Sequence, residues 1–147
     1  MRVCRRCLVG LAVLWSLVVN AESPGLNRYV AEIELQTASD LATLLDRAEA
    51  LFLDGELRQA ADDAPVVLVL HGPVLRSLLK PNYVNSRALV DRAASLSALG
   101  VLDVRACRSW MTRHDVDEKT LQPFVRTVAY GPGEVRRLIR EQGYISF

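Results

Sequence analysis

Five consecutive apolar residues, Val66-Val67-Leu68-Val69-Leu70, lie between Pro65 and His71-Gly72-Pro73. Strand side chains alternate between two faces, so a strand with no polar residue in either set has to be covered on both. The valines favour a strand over a helix, and the proline and glycine at its ends stop it. A sheet covered on both faces is built from parallel strands joined by helices, and the rest of the chain is patterned to supply them.

Arg28 to Leu35 alternates, with Tyr29, Ala31, Ile33 and Leu35 against Val30, Glu32 and Glu34, which predicts a strand with one wetter face. Thr37 or Ser39 is placed to cap a helix whose Leu41, Leu44, Leu45, Ala48, Leu51 and Phe52 recur at helical spacing. After the apolar run, Val74 to Leu79 predicts a short helical turn and Lys80 to Val84 a loop around Pro81. Asn85 then caps a helix reaching Leu99, with Leu89, Ala93, Leu96 and Leu99 inward and Gly100 as its stop. Val101 to Cys107 is the next strand, placing Leu102, Val104 and Ala106 on one face and Val101, Asp103, Arg105 and Cys107 on the other. Ser109 to Arg113 and Thr120 to Pro123 form short helical pieces around a charged loop, and Val125 to Tyr130 a strand. Gly131-Pro132-Gly133 turns into a helix from Glu134 to Gln142 with Val135, Leu138 and Ile139 inward, and Tyr144 to Phe147 is a terminal strand. Strands alternating with helices predict an α/β fold, a three-layer α/β/α sandwich around a mostly parallel sheet of roughly five strands.

Residues 1–21 read as a secretory signal peptide: Arg2, Arg5 and Arg6 precede an apolar run from Leu8 to Val19, and Val19-Asn20-Ala21 offers a cleavage site before Glu22. That run is short for a membrane span, so the expectation is export to the periplasm or beyond, with no stable membrane insertion after cleavage; a leader retained as an anchor is the alternative. Residues 22–147 then form a single domain. Cleavage removes three arginines and no acid, turning the formal charge of +1 into −2, which gives no reason to expect a nucleic-acid partner. It also removes Cys4 and Cys7, read here as incidental leader residues despite their Cys-x-x-Cys spacing, and leaves Cys107 as the one thiol. A single cysteine in an oxidising compartment is either a reactive thiol or an intermolecular partner.

No Gly-x-Gly-x-x-Gly, Walker, Gly-x-Ser-x-Gly or His-Glu-x-x-His pattern occurs, which argues against the corresponding dinucleotide, nucleotide, hydrolase and zinc-protease chemistries. No cofactor is expected, and no metal, because His71, Cys107 and His114 have no local ligand spacing. In open α/β sheets ligands bind at the carboxyl ends of strands, where this sequence places Gln36, Thr37, His71, Gly72, Cys107 and Gly131 to Gly133. Cys107 is the candidate nucleophile, with Arg105 and Arg108 as nearby cations and His71, or as a second candidate His114, as the group that lowers the thiol pKa or accepts its proton. Gly72, His114, Gly131 and Gly133 are candidate ligand-binding positions, the last two because backbone N–H groups opening a helix can hold an anion. Each has a plainer alternative: Cys107 as a buried inert residue, His71 as a turn-setting residue, His114 in a solvated charged loop, and the glycines as turns. Trp110 and Met111 beside the thiol read as core packing, an apolar cover or a subunit contact.

The order of these motifs resembles the DsrE/DsrF-like family of sulfur-trafficking proteins. The matching features are the apolar strand closing on His71-Gly72-Pro73, the helix running into Leu99-Gly100-Val101, and the strand delivering Cys107 ahead of Ser109-Trp110-Met111. Pro123, the strand into Tyr130-Gly131-Pro132-Gly133-Glu134-Val135 and the closing Glu141-Gln142-Gly143-Tyr144-Ile145 complete the pattern, from about Arg28 to Phe147. The resemblance implies a compact α/β/α fold, assembly as a homo-oligomer (trimer or hexamer), and a persulfide carried on the cysteine after the third strand, whose position Cys107 matches. Its partners would be a sulfur donor and an acceptor protein or small thiol. The best-understood carriers of the family are cytoplasmic and lack a leader, and Glu32 and Glu34 make the first strand more polar than a central strand. Two functions follow as expectations: an exported sulfur carrier or sulfurtransferase-like protein acting through Cys107, or a non-catalytic oligomeric binding or assembly module in which Cys107 only packs.

Overall fold

A computed structural model of the chain describes residues 27–58 and 63–147. The leader proposed at residues 1–21 lies outside the described residues. Five strands form one sheet in the order β4-β3-β2-β1-β5: β1 (Tyr29–Glu34), β2 (Val66–His71), β3 (Leu102–Cys107), β4 (Val125–Val128) and β5 (Ile145–Ser146). Every neighbouring pair is parallel, so the sheet expected to be mostly parallel is wholly so. Four helices connect them, α1 (Ala38–Leu53), α2 (Tyr83–Ala98), α3 (Arg108–Arg113) and α4 (Gly131–Gln142), with a 3-10 helix at Pro73–Leu78.

The apolar run fixes the layers. Val66, Leu68 and Leu70 of β2 join α1, α2 and α3 in one core through Leu41, Leu45, Val90, Ala93, Trp110 and Met111. Val67 and Val69 join Val30, Val135, Leu138 and Tyr144 in a second core under α4. Residues 66 to 70 of β2 have no exposure, as their strand-wide apolarity requires. Burying each such side chain contributes roughly 1.5–3 kcal/mol.

Strand order explains why α4 stands alone. From β1 to β4 the chain steps across the sheet in one direction, and then returns past all of them to place β5 beside β1. Right-handed crossovers put the helices of the two directions on opposite faces. The short β5 pairs only with Tyr29 and Val30, so the later half of β1 is an open edge, which is why Glu32 and Glu34 are exposed there.

Several local readings hold and others are corrected. Thr37 caps α1 in a reciprocal box, with Asp40 N–H donating to Thr37 Oγ1 at 3.2 Å and Thr37 N–H to Asp40 Oδ2 at 3.0 Å. Asn85 does not cap α2, which begins at Tyr83 directly after a 3-10 turn at Lys80–Asn82 and is kinked at Ser86. Leu99 is 61% exposed and Ile139 is 41% exposed rather than inward. Leu99 lies past the last helical residue, and Leu138 with Tyr144 already fills the space beneath α4.

Candidate functional site

Adjacent β3 and β4 send their connections to opposite faces, β3 into α3 and β4 into α4. Such a divergence opens a crevice at the carboxyl ends of the two strands. Cys107 is the last residue of β3, paired in register with Val128 of β4, and is the residue capping the start of α3. The thiol therefore sits where the first turns of α3 and α4 diverge.

Its polar contacts come from both sides of that crevice. Ser109 Oγ lies 3.1 Å from the sulfur, and Gly131 N–H donates to it at 3.4 Å. Ser109 is itself held against the β4 to α4 turn by its N–H donating to Ala129 O at 3.3 Å. A side chain at residue 131 would meet Val69 Cγ1 at 3.2 Å and Cys107 Sγ at 3.6 Å, so glycine is what lets the first turn of α4 approach the thiol. Burial pushes the thiol pKa up. The Ser109 hydroxyl, then the N–H groups of Gly131, Trp110 and Ser109, outweigh it and hold the thiol below its ordinary value. Cys107 is free and only 3% exposed.

The structure gathers some of the candidate residues and separates others. Gly131 joins Cys107 as a direct hydrogen-bond donor, whereas Gly133 instead meets the Tyr130 ring. His71 follows the Leu70 to Ala106 register pair on the neighbouring strand, but its Nε2 lies 3.9 Å from Glu32 Oε1 and it makes no hydrogen bond to the thiol. Gly72 adopts φ +97°, and a side chain there would come within 2.9 Å of Leu35 O, so its role is to let two strand ends approach. His114 stacks on Trp110 at 4.1 Å and its Nδ1 lies 2.8 Å from Trp110 O, which ties it to the far end of α3. Neither neighbouring cation touches the sulfur: Arg105 binds Asp103 and Glu134, and Arg108 binds Glu118 and Thr127. Trp110 and Met111 are buried in the core beneath α3.

Ser109 is the residue that sequence reasoning missed at this site. A hydroxyl two residues after a strand-end cysteine falls in the first turn of the following helix, within reach of the cysteine side chain at its N-cap position, and that spacing is its available signal. Among the described residues no group of three or more His, Cys, Asp and Glu side chains could hold a metal ion, and no helix is long and apolar enough to cross a membrane.

No protein-family model and no curated protein matches this sequence. Among solved structures, the chain is similar to the protein of unknown function MTH1491 from Methanobacterium thermoautotrophicum. The two share 18% identity at a TM-score of 0.63, over 82% of this chain and 97% of that one. That likeness defines the class, a single-sheet parallel α/β/α fold, and extends to the fold alone.

Proposed function

We propose that the protein is an exported sulfur carrier, with Cys107 as the residue that holds sulfane sulfur as a persulfide. The observation that carries this reading is the thiol's setting: a strand-end cysteine whose sulfur is met by the Ser109 hydroxyl and the Gly131 N–H, an arrangement that favours thiolate. The ordered resemblance of the sequence to DsrE/DsrF-like sulfur carriers supports it. In the first step the Cys107 thiolate attacks the outer sulfur of a donor persulfide, R–S–S–H. The donor S–S bond breaks, R–S⁻ leaves, and Cys107–S–S–H forms with the proton still on the terminal sulfur. In the second step an acceptor thiolate attacks that terminal sulfur, taking it as a new persulfide and returning Cys107 as thiolate. No net oxidation occurs, and each step follows thiol–disulfide exchange. Export rests on the leader at residues 1–21 and assembly as a trimer or hexamer on the resemblance; His71 remains the proposed base for a protonated thiol.

The burial of Cys107, 3% exposed, favours the second reading, a non-catalytic binding or assembly module in which the thiol packs. Thiol titration of the native protein separates them. A carrier labels without unfolding and gains sulfur mass from a sulfane donor, and the Cys107→Ser variant does not. A thiol that labels only after denaturation and never gains mass supports the module.

A further inference from the structure

Side chains two residues apart on a strand share a face. Val69 of β2 and Arg105 of β3 are register partners, so His71 and Cys107, each two residues further along, stand side by side on the α4 face at the carboxyl ends of their strands. Neighbouring strands lie about 4.8 Å apart, so the imidazole is within a side chain's reach of a group bonded to the sulfur. In register on the other flank of Cys107, β4 offers the apolar Val128. Glu32 lies on the same face of β1, beyond His71, and its Oε1 is 3.9 Å from His71 Nε2. Glu34 is the register partner of His71, but its Cγ turns toward Gly72 and the ion pair goes to Glu32. A carboxylate, an imidazole and a thiol therefore follow one another across β1, β2 and β3.

Exposure divides this row. The Glu32 and His71 side chains are 30% and 24% exposed, whereas Cys107 is 3% exposed. From α3 and α4 the Ser109 hydroxyl and the Gly131 N–H meet the sulfur and already favour its thiolate, so Cys107 itself needs no base. A small thiol arriving to collect sulfur is different: it is mostly protonated near neutral pH and attacks only as thiolate.

Resting on the sulfur-carrier reading, we propose that His71 is the general base for the acceptor thiol rather than for Cys107, and that Glu32 is the residue that positions it. With Glu32 facing Nε2–H, the imidazole keeps Nδ1 as the proton acceptor. The acceptor R–S–H gives its proton to Nδ1 as its sulfur attacks the terminal sulfur of Cys107–S–S–H. The S–S bond breaks, R–S–S–H forms, and the electron pair of the broken bond returns to Cys107 as thiolate. Glu32 faces the imidazolium until the proton passes to water, and no net oxidation occurs.

Methyl methanethiosulfonate converts Cys107 to Cys107–S–S–CH3, whose outer sulfur is open to the same attack, so the base is tested whether or not a sulfane donor loads the protein. The full chain carries Cys4→Ser and Cys7→Ser, which leaves Cys107 as its one thiol. Return of the unmodified intact mass is timed under excess 2-mercaptoethanol, protonated at the assay pH, and under 4-mercaptophenylacetate, ionised at that pH. His71→Asn should slow the first reaction at least about tenfold, since positioned general bases contribute about 10²–10⁴. Glu32→Gln should slow it about three- to fivefold, the upper part of what a partly exposed ion pair gives. Both variants should stay within about twofold of wild type with the aromatic thiolate, which needs no base. In a His71→Asn background Glu32→Gln should change nothing further, because it acts through the imidazole. Equal slowing with both thiols, unchanged release by 2-mercaptoethanol, or independent effects of the two substitutions overturn the proposal. So does a native thiol that methyl methanethiosulfonate leaves unmodified, since no small acceptor then reaches the sulfur. If His71→Asn does not fold, His71→Gln carries the same test at the same threshold. Base-dependent release from a protein that takes no sulfur from any sulfane donor supports the roles of His71 and Glu32 and contradicts the carrier reading alone.

Discussion

Replacing Ser109 with alanine isolates what prepares the thiol. The substitution deletes the hydroxyl 3.1 Å from the Cys107 sulfur and keeps the Ser109 N–H bond to Ala129 O that holds α3 to the next turn. Burial raises the thiol pKa, and the Ser109 hydroxyl is the largest of the groups that bring it down, ahead of the Gly131 N–H. Hydrogen bonds to charged groups contribute about 1.5–3 kcal/mol, and a sulfur acceptor places this one near or below the lower end, at roughly 1–1.5 kcal/mol. With RT of about 0.59 kcal/mol, the thiolate population below the midpoint falls roughly five- to thirteenfold. The assay is a titration of thiolate ultraviolet absorbance, taken as the difference from Cys107→Ser, in wild type and Ser109→Ala. The variant's midpoint should lie above that of wild type, with the two curves meeting at alkaline pH. Alkylation at a pH below the wild-type midpoint should slow only about two- to fivefold, because a more basic thiolate is also the better nucleophile, with a Brønsted coefficient of about 0.4–0.5. Superimposable titrations would refute the assignment of Ser109 as a thiolate partner.

The remaining expectations concern pH and the frame around the site. A thiol pKa lower in the folded chain than in the unfolded chain adds stability that is full above the unfolded value, about 8.5, and is lost as pH falls through the native one. Urea unfolding across that window should show wild type gaining on Cys107→Ser as pH rises; a flat difference contradicts the native hydrogen bonds. Asp103→Ala strips Arg105 of its buried carboxylate partner and should cost about 3 kcal/mol in the same assay, at the lower end for breaking buried ion pairs because the half-buried Glu134 remains. A loss under about 1 kcal/mol, ordinary for a surface pair, would contradict the buried network. Gly72→Ala meets both a φ of +97° and a 2.9 Å approach to Leu35 O, so a loss of roughly 1–3 kcal/mol is expected on thermal melting. Unchanged melting would show that the strand-end approach is looser than described.

Much of this fold is legible in the chain because single segments carry their own instructions. Val66 to Leu70 announces a strand covered on both faces, and Gly100, at φ +71°, marks the end of α2. The alternation of β3 assigned Asp103, Arg105 and Cys107 to one face, but a sequence does not show that Asp103 and Arg105 are buried, since that depends on Arg126 and Glu134 arriving from elsewhere. The start of α2 escaped for a similar reason: a 3-10 turn runs straight into the helix, so Asn85 never occupies a capping position. At the site, proximity in sequence misled. Arg105 and Arg108 flank the thiol yet turn to carboxylates, while Gly131, far along the chain, donates to it because α4 starts above β3. Ile139 fits the helical period of α4 but lies beyond the edge of the narrow apolar stripe that Val135 and Leu138 occupy.

The central claim is that Cys107 carries sulfur, and intact mass under non-reducing conditions tests it most directly. The full chain, residues 1–147, is produced and recovered, then measured before and after exposure to a sulfane-sulfur donor, with Cys107→Ser in parallel. The account predicts added sulfur mass on the wild type alone, reversed by reductant. A wild-type mass unchanged by every donor, or a gain that Cys107→Ser shares, would contradict it.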